Sequence, residues 1–231
     1  ESSHMSQAGE GMPRRSDYGQ VRATERDLYL LKWIGEQYAI RVDQLKKLAE
    51  AFKGSELSAP TIKWLVSRWR EAGWVEKQVL LAKQPQWVWL TREGYKDADL
   101  EYPYARPSVS RLKHIYHTNA VRLWIERRSQ GKAEWTSDRA INPERKAEGK
   151  RHFIDGEVFY QGRRIALEVE LTQKSRTRLD AILSELKKEY EAVWYFASPE
   201  CYTAVKNAIE SVSAYEETFV LYRLEAVFEG G

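Results

Sequence analysis

Two neighbouring runs carry the residues best suited to chemistry: Arg151-His152-Phe153-Ile154-Asp155-Gly156-Glu157 and Ile165-Ala166-Leu167-Glu168-Val169-Glu170-Leu171. In a strand, period-two geometry sends Ile165, Leu167, Val169 and Leu171 to one face and Glu168 and Glu170 to the other. Gln161-Gly162 supplies a turn, and a hairpin through it brings Asp155 up beside Glu168. Carboxylates that close repel one another unless a hard cation neutralises them. Asp155, Glu168 and Glu170 are therefore candidate ligands for Mg²⁺ or Mn²⁺. Any half-exposed strand shows the same alternation, so the surrounding elements must decide.

Residues 110–128 have the spacing of a helix and residues 135–141 that of a strand, and the two acidic runs follow. Residues 175–191 form a second helix with Leu179, Ile182, Leu183, Leu186 and Tyr190 on one stripe. Residues 193–197 read as a buried strand, residues 200–211 as a helix opened by Pro199, and residues 218–227 as a last strand. The order is helix, three strands, helix, strand, helix, strand.

That order resembles the restriction-endonuclease-like fold, whose signature is an Asp, then after a turn Glu or Asp, one residue, and Lys. Over roughly the last 120 residues the matching positions are Asp155, Glu168 and Glu170, with glutamate in place of the lysine. Some type II restriction endonucleases carry a similar Glu-x-Glu. Lys174, four residues on at the strand-to-helix junction, is the nearest cation and completes the candidate catalytic set, although a lysine there is also what a solvated helix start shows.

The first hundred residues predict a different unit. Residues 24–38 are helical with Leu28, Leu31, Ile34 and Tyr38 inward, and residues 42–52 form a second helix with Leu45, Leu48, Ala49 and Phe52 at core spacing. A third begins at Ser58-Ala59-Pro60, an N-cap followed by proline in the first turn. Its apolar stripe is Ile62, Leu65, Val66 and Trp69, which leaves Thr61, Lys63, Trp64, Ser67 and Arg68 on the outer surface. Strands at 74–81 and 86–90, joined by a basic tip at Lys83, complete a winged helix-turn-helix. In that fold the third helix enters the major groove of double-stranded DNA and the hairpin meets the adjacent backbone. Thr61, Lys63, Ser67, Arg68 and Arg70 are the candidate contacts from the helix, and Lys77 and Lys83 those from the wing. The same fold also serves as a protein-docking module; the donors on the outer helix surface favour DNA.

Two prolines in Glu101-Tyr102-Pro103-Tyr104-Ala105-Arg106-Pro107 mark a stiff linker. The expected organisation is a polar N-terminal stretch at 1–20, a winged-helix domain at 21–100, a linker at 101–109, and a mixed-sheet α/β domain at 110–231. The winged helix, Leu90-Thr91-x-x-Gly94, His117-x-Asn119 and the Asp then Glu-x-Glu strands together resemble the replication-relaxation family of bacterial plasmids and mobile elements, which is related to relaxases built on the same nuclease fold. The resemblance covers most of the chain and implies a DNA-binding protein of plasmid replication or mobilisation.

Composition is compatible with this. The 231 residues are 42% hydrophobic and 31% charged, enough for two modest cores. Cys201 is alone, so no intrachain disulfide forms, as in a reducing compartment. No stretch approaches the roughly 18 apolar residues of a membrane span, so the expectation is a cytoplasmic protein with no membrane partner. Glu1-Ser2-Ser3-His4-Met5 looks like the remnant of an expression tag. The net charge is only +3, but residues 58–83 and 139–151 each hold five basic and two acidic residues, and both could meet phosphates. His114 and His117 sit at i, i+3, yet no cysteine or third nearby histidine accompanies them as a zinc site requires. Strand alternation places His152 off the face of Asp155, and Tyr160 reads as strand-end packing.

Two functions follow as expectations. One is a metal-dependent DNA endonuclease or nickase, relaxase-like, in which Asp155, Glu168 and Glu170 hold the ion. The other is a sequence-specific DNA-binding regulator whose nuclease-like domain is inactive and serves dimerisation or DNA docking. A palindromic target would imply a homodimer.

Overall fold

The computed structural model describes residues 21–212 and 218–229. The tag-like and polar N-terminal stretch lies outside the described residues. The chain is a mixed α/β protein with two sheets, one of three antiparallel strands and one of five mixed strands.

The first sheet stands against three helices. Helix α1 (Glu25–Glu36) starts with a capping box in which the Asp27 amide donates to Thr24 Oγ1 at 3.2 Å and the Thr24 amide donates to Asp27 Oδ2 at 2.8 Å. Its buried side is Leu30, Leu31, Trp33 and Ile34, whereas Leu28, expected inward, is exposed. The stripe is rotated because Trp33 turns toward the second half of the chain, donating its Nε1 to Glu126 at 3.0 Å. Strand β1 (Ile40–Arg41) leads into α2 (Val42–Lys53), which ends at Gly54 in the left-handed region at φ 74°. Phe52, also expected in the core, lies half-exposed against Tyr29, ring centroids 5.0 Å apart. Helix α3 (Ala59–Glu71) starts at Ser58, whose hydroxyl accepts from the Thr61 amide, and buries Ile62, Leu65, Val66 and Trp69. Strands β2 (Val75–Gln78) and β3 (Trp87–Leu90) pair antiparallel, and β3 also pairs with β1, giving the order β1-β3-β2. Helix α4 (Arg92–Asp97) follows, capped by the Thr91 hydroxyl.

The second sheet is built from β4 (Glu134–Ser137), β5 (Gly156–Tyr160), β6 (Arg163–Glu170), β7 (Ala192–Ala197) and β8 (Phe219–Arg223), in that spatial order. Strands β4, β5 and β6 form an antiparallel meander, while β6, β7 and β8 run parallel. Helix α5 (Val109–Arg128) lies on one face, where Val121 and Ile125 pack on Ile165, Leu167, Val169 and Phe196. Helices α7 (Arg176–Glu189) and α8 (Pro199–Ser211) cover the other, packing on Ala166, Val193 and Tyr195. Strand β6 is thus buried on both faces, and Glu168 and Glu170 are 4% and 3% exposed, unlike the outward glutamates of a half-exposed strand.

The strand expected at 135–141 ends at Ser137. Its hydroxyl accepts from the Arg139 amide at 3.1 Å and caps α6 (Asp138–Ala147), a helix the sequence pattern conceals because Pro143 lies inside it. The last strand is likewise shorter than expected, and residues Leu224–Val227 turn into a 3₁₀ helix.

Buried polar contacts join the two sheet units. Asn119 of α5 donates to the Ala39 carbonyl at 2.9 Å and accepts from Gln37 at 3.2 Å. Arg139 donates to the Gly35 carbonyl at 2.7 Å, the Tyr95 hydroxyl at 2.6 Å and the Pro103 carbonyl at 2.5 Å, with the rings of Tyr38, Tyr95 and Tyr102 around its guanidinium. The proline-rich linker is held down too: Tyr104 donates to Glu76 at 3.0 Å and Arg106 to Gln78 at 2.8 Å. Groups that desolvated leave a donor or acceptor unmade if they separate, so this seam resists opening.

Candidate functional site

Gln161 and Gly162 both adopt positive φ, 52° and 75°, as a two-residue hairpin turn between β5 and β6 requires. The resulting register sets Gly156 opposite Leu167 and lets the Asp155 amide donate to the Leu167 carbonyl at 3.0 Å. Asp155 therefore stands beside the strand that carries Glu168 and Glu170. Its Oδ2 accepts from the Val169 amide at 2.7 Å, which fixes the carboxylate. Lys174, in the loop between β6 and α7, forms an ion pair with Glu170. The four residues line one open cleft of about 330 Å³, together with His114, Arg151, His152, Phe153 and Arg178.

Two histidines complete this cluster, and sequence reasoning assigned neither to it. His152 Nε2 lies 2.6 Å from Glu168 Oε1, and His114 Nε2 lies 2.8 Å from Asp155 Oδ1. His152 precedes β5, so the alternation used to set it aside does not govern it. His114 comes from α5, and only the packing of that helix on the sheet brings it to Asp155. No local signal marks either.

The electrostatics follow from burial and crowding. Burial raises the Glu168 carboxyl and the nearby negative charge of Asp155 adds to this; His152 and Lys174 oppose, and the group is left at about 7. Burial alone would lower the His152 imidazole, but its bond to Glu168 and the charge of Asp155 raise it. His114 is raised likewise by Asp155, against the effect of burial. Burial raises Asp138 at the start of α6, Asp155 adds to this, and the Tyr38 hydroxyl donating at 3.0 Å opposes. Tyr195 is the cross-strand neighbour of Glu168; it is fully buried, and its hydroxyl has no partner among the described residues.

As a metal site the donor set is mixed. Among the described residues no three His, Cys, Asp or Glu side chains converge as a ready-made ligand group. The chemistry of the set nevertheless suits a hard divalent ion, because three carboxylates share one cleft and the charge of Asp155 helps raise Glu168. The orphaned Tyr195 hydroxyl beside them is a further unmet polar group.

The candidate DNA-contact residues divide into three groups. Ser67, Arg70 and Lys77 line a second groove of about 630 Å³ between α3 and β2, and Arg106 of the linker joins them there, a residue sequence reasoning missed. Lys63 is exposed on α3, and Lys83 is exposed at the hairpin tip with φ 61°. Thr61 and Arg68 are engaged locally: Thr61 Oγ1 is 2.8 Å from Ser58 Oγ, and Arg68 is ion-paired with Asp27. Of the basic run at 139–151, Arg139 and Arg145 are buried, so the expectation that the whole run meets phosphates is corrected. Arg145 donates to Glu189 at 2.6 Å and to Glu185 at 3.1 Å. Arg151 alone of these lines the carboxylate cleft.

Among the described residues no helix is long and apolar enough to cross a membrane. No protein-family model, no curated protein and no solved structure matches this chain.

Proposed function

We propose that the protein binds double-stranded DNA through a winged helix and cuts or nicks it with Mg²⁺ or Mn²⁺ in a restriction-endonuclease-like domain. The observation that carries this reading is the gathering of Asp155, Glu168 and Glu170 at one cleft, with Glu168 raised to about 7 by burial and by Asp155. The sheet order β4-β5-β6-β7-β8, an antiparallel meander followed by parallel strands, supports the nuclease-like assignment, and α6 between β4 and β5 is an addition to the expected order. The three helices and the β1-β3-β2 sheet support the winged helix. A role in plasmid replication or mobilisation rests on the resemblance to the replication-relaxation family, and a cytoplasmic location on the lone Cys201.

In this reading Asp155, Glu168 and Glu170 hold the ion. When bound, it polarises the scissile phosphate and lowers the pKa of a water molecule. The Val169 amide keeps Asp155 oriented. His152, bonded to Glu168 Oε1, favours the ionised carboxylate against the effect of burial. Lys174 orients Glu170. Ser67, Arg70 and Lys77, with Arg106, position the duplex backbone in the groove beside α3.

A second reading is supported by a specific observation. Each carboxylate already has a partner within the chain, His114 on Asp155, His152 on Glu168 and Lys174 on Glu170. A site neutralised in this way suits a DNA-binding regulator with an inactive nuclease-like domain that docks DNA or dimerises. Supercoiled plasmid incubated with the protein and Mg²⁺ or Mn²⁺, with Glu168→Ala as control, separates the two. Open-circular or linear product that needs both the metal and Glu168 supports the nuclease; intact plasmid with a specific mobility shift supports the regulator.

A further inference from the structure

Arg151, His152 and Phe153 point in alternate directions. His152 is buried on Glu168, while Arg151 and Phe153 on either side of it are exposed and line the mouth of the carboxylate cleft. Phe153 is 48% exposed and belongs to no aromatic pair among the described residues. Arg151 and the Arg178 side chain line the same cleft, and neither has an ion-pair partner among the described residues. By contrast Arg122, Arg139 and Arg145 are buried in bonds to carboxylates, carbonyls or a tyrosine. The cleft thus presents two uncommitted guanidinium groups and one uncommitted aromatic ring at the entrance to the carboxylates. Guanidinium groups recognise phosphate oxygens, and an exposed ring beside them offers a base a face to stack on.

We infer that Phe153 is a stacking platform for an unpaired nucleotide, held by Arg151 and Arg178 through its flanking phosphates, so that the cleft takes a single-stranded segment or an extruded base in preference to paired duplex. The inference rests on the reading of the cleft as a DNA-processing site and names the form of DNA it takes. A base still stacked in a duplex offers its neighbours, not the protein, its π-face; only an unpaired or flipped base can lie against Phe153.

The test measures binding without metal, so that cleavage does not enter. Fluorescently labelled oligothymidylate is titrated with the full chain in EDTA, and an oligonucleotide carrying 5-iododeoxyuridine is photocross-linked and mapped by peptide mass spectrometry. Phe153→Ala is expected to weaken binding to the single strand about tenfold, in keeping with the usual cost of losing one base–aromatic stack, while Phe153→Trp retains it. The cross-link is expected on Phe153 with the single strand and to disappear when the same oligonucleotide is fully paired. Double replacement of Arg151 and Arg178 by alanine is expected to flatten the salt dependence of binding. Because Phe153 is half-exposed, its replacement leaves the core intact, and circular dichroism checks this. Unchanged affinity of Phe153→Ala, or cross-linking equally strong in the duplex, overturns the inference. If stacking is found but plasmid stays intact with Mg²⁺, the nuclease reading falls and the platform stands. If plasmid is cut in a Glu168-dependent way while Phe153→Ala binds normally, the reverse holds.

Discussion

Arg68 of α3 forms an ion pair with Asp27 of α1, a carboxylate with no exposure to solvent that also accepts from Trp69 Nε1 at 2.9 Å. The pair clamps the candidate DNA-reading helix to the first helix of the chain. Without Arg68, Asp27 keeps Arg26 at 3.8 Å as its cation, and removing one partner of a buried pair costs up to about 3–5 kcal/mol. Arg68→Ala is therefore expected to lower the urea midpoint substantially, whereas Arg70→Ala, on an exposed side chain, leaves it nearly unchanged. Equal midpoints for the two variants would remove the clamp.

The same pair fixes a pH dependence. Burial alone would raise the Asp27 carboxyl, but hydrogen bonds from Arg68, the Thr24 amide and Trp69 outweigh it and hold the group below its ordinary 3.8. A carboxyl lowered on folding contributes stability that is complete above its unfolded value and is lost as pH falls through the folded one. The stability gap between wild type and Asp27→Asn should stay constant from about pH 7 to about pH 5 and shrink only below the ordinary carboxylate range. A gap that grows on acidification would contradict the sign.

His152 lowers the Glu168 carboxyl through their 2.6 Å bond, against the larger effect of burial. His152→Ala should therefore move Glu168 above about 7, readable in a carboxyl carbon NMR titration. In the same variant, Mn²⁺ binding measured by calorimetry at neutral pH should weaken, because a protonated carboxyl is a poor ligand. An unmoved titration would detach His152 from Glu168.

In the groove between α3 and β2, Arg70 and Lys77 are expected to act on phosphates. Replacing either by alanine should weaken DNA binding about equally across sequences and reduce the slope of log affinity against log salt by about one. A variant that relaxes sequence preference and keeps the wild-type slope would place its side chain on a base edge.

Gly94 of α4 has no room for a side chain: a Cβ there would lie 2.0 Å from the Trp74 carbonyl oxygen. Gly94→Ala should destabilise the protein by about 1–3 kcal/mol through displaced backbone, seen as a lower melting temperature. A melting temperature equal to that of the wild type would show that α4 can move.

Local sequence determined the elements whose signals are local. Ser58-Ala59-Pro60 fixed the start of α3, because an N-cap and a proline act within one turn. Gln161-Gly162 fixed the hairpin, and with it the position of Asp155 beside Glu168, since a two-residue turn sets the register of both strands. The tertiary structure decided what depends on partners distant in the chain. Helix α5 brought His114 to Asp155, the loop before β5 turned His152 onto Glu168, and covering β6 on both faces buried two glutamates whose exposure alternation alone leaves open. Packing also drew Arg68 onto Asp27 and Arg139 into the seam between the two sheets. A side chain's charge and period are written in its own segment. Whether that charge faces water, a phosphate or a buried partner depends on which distant element lies over it.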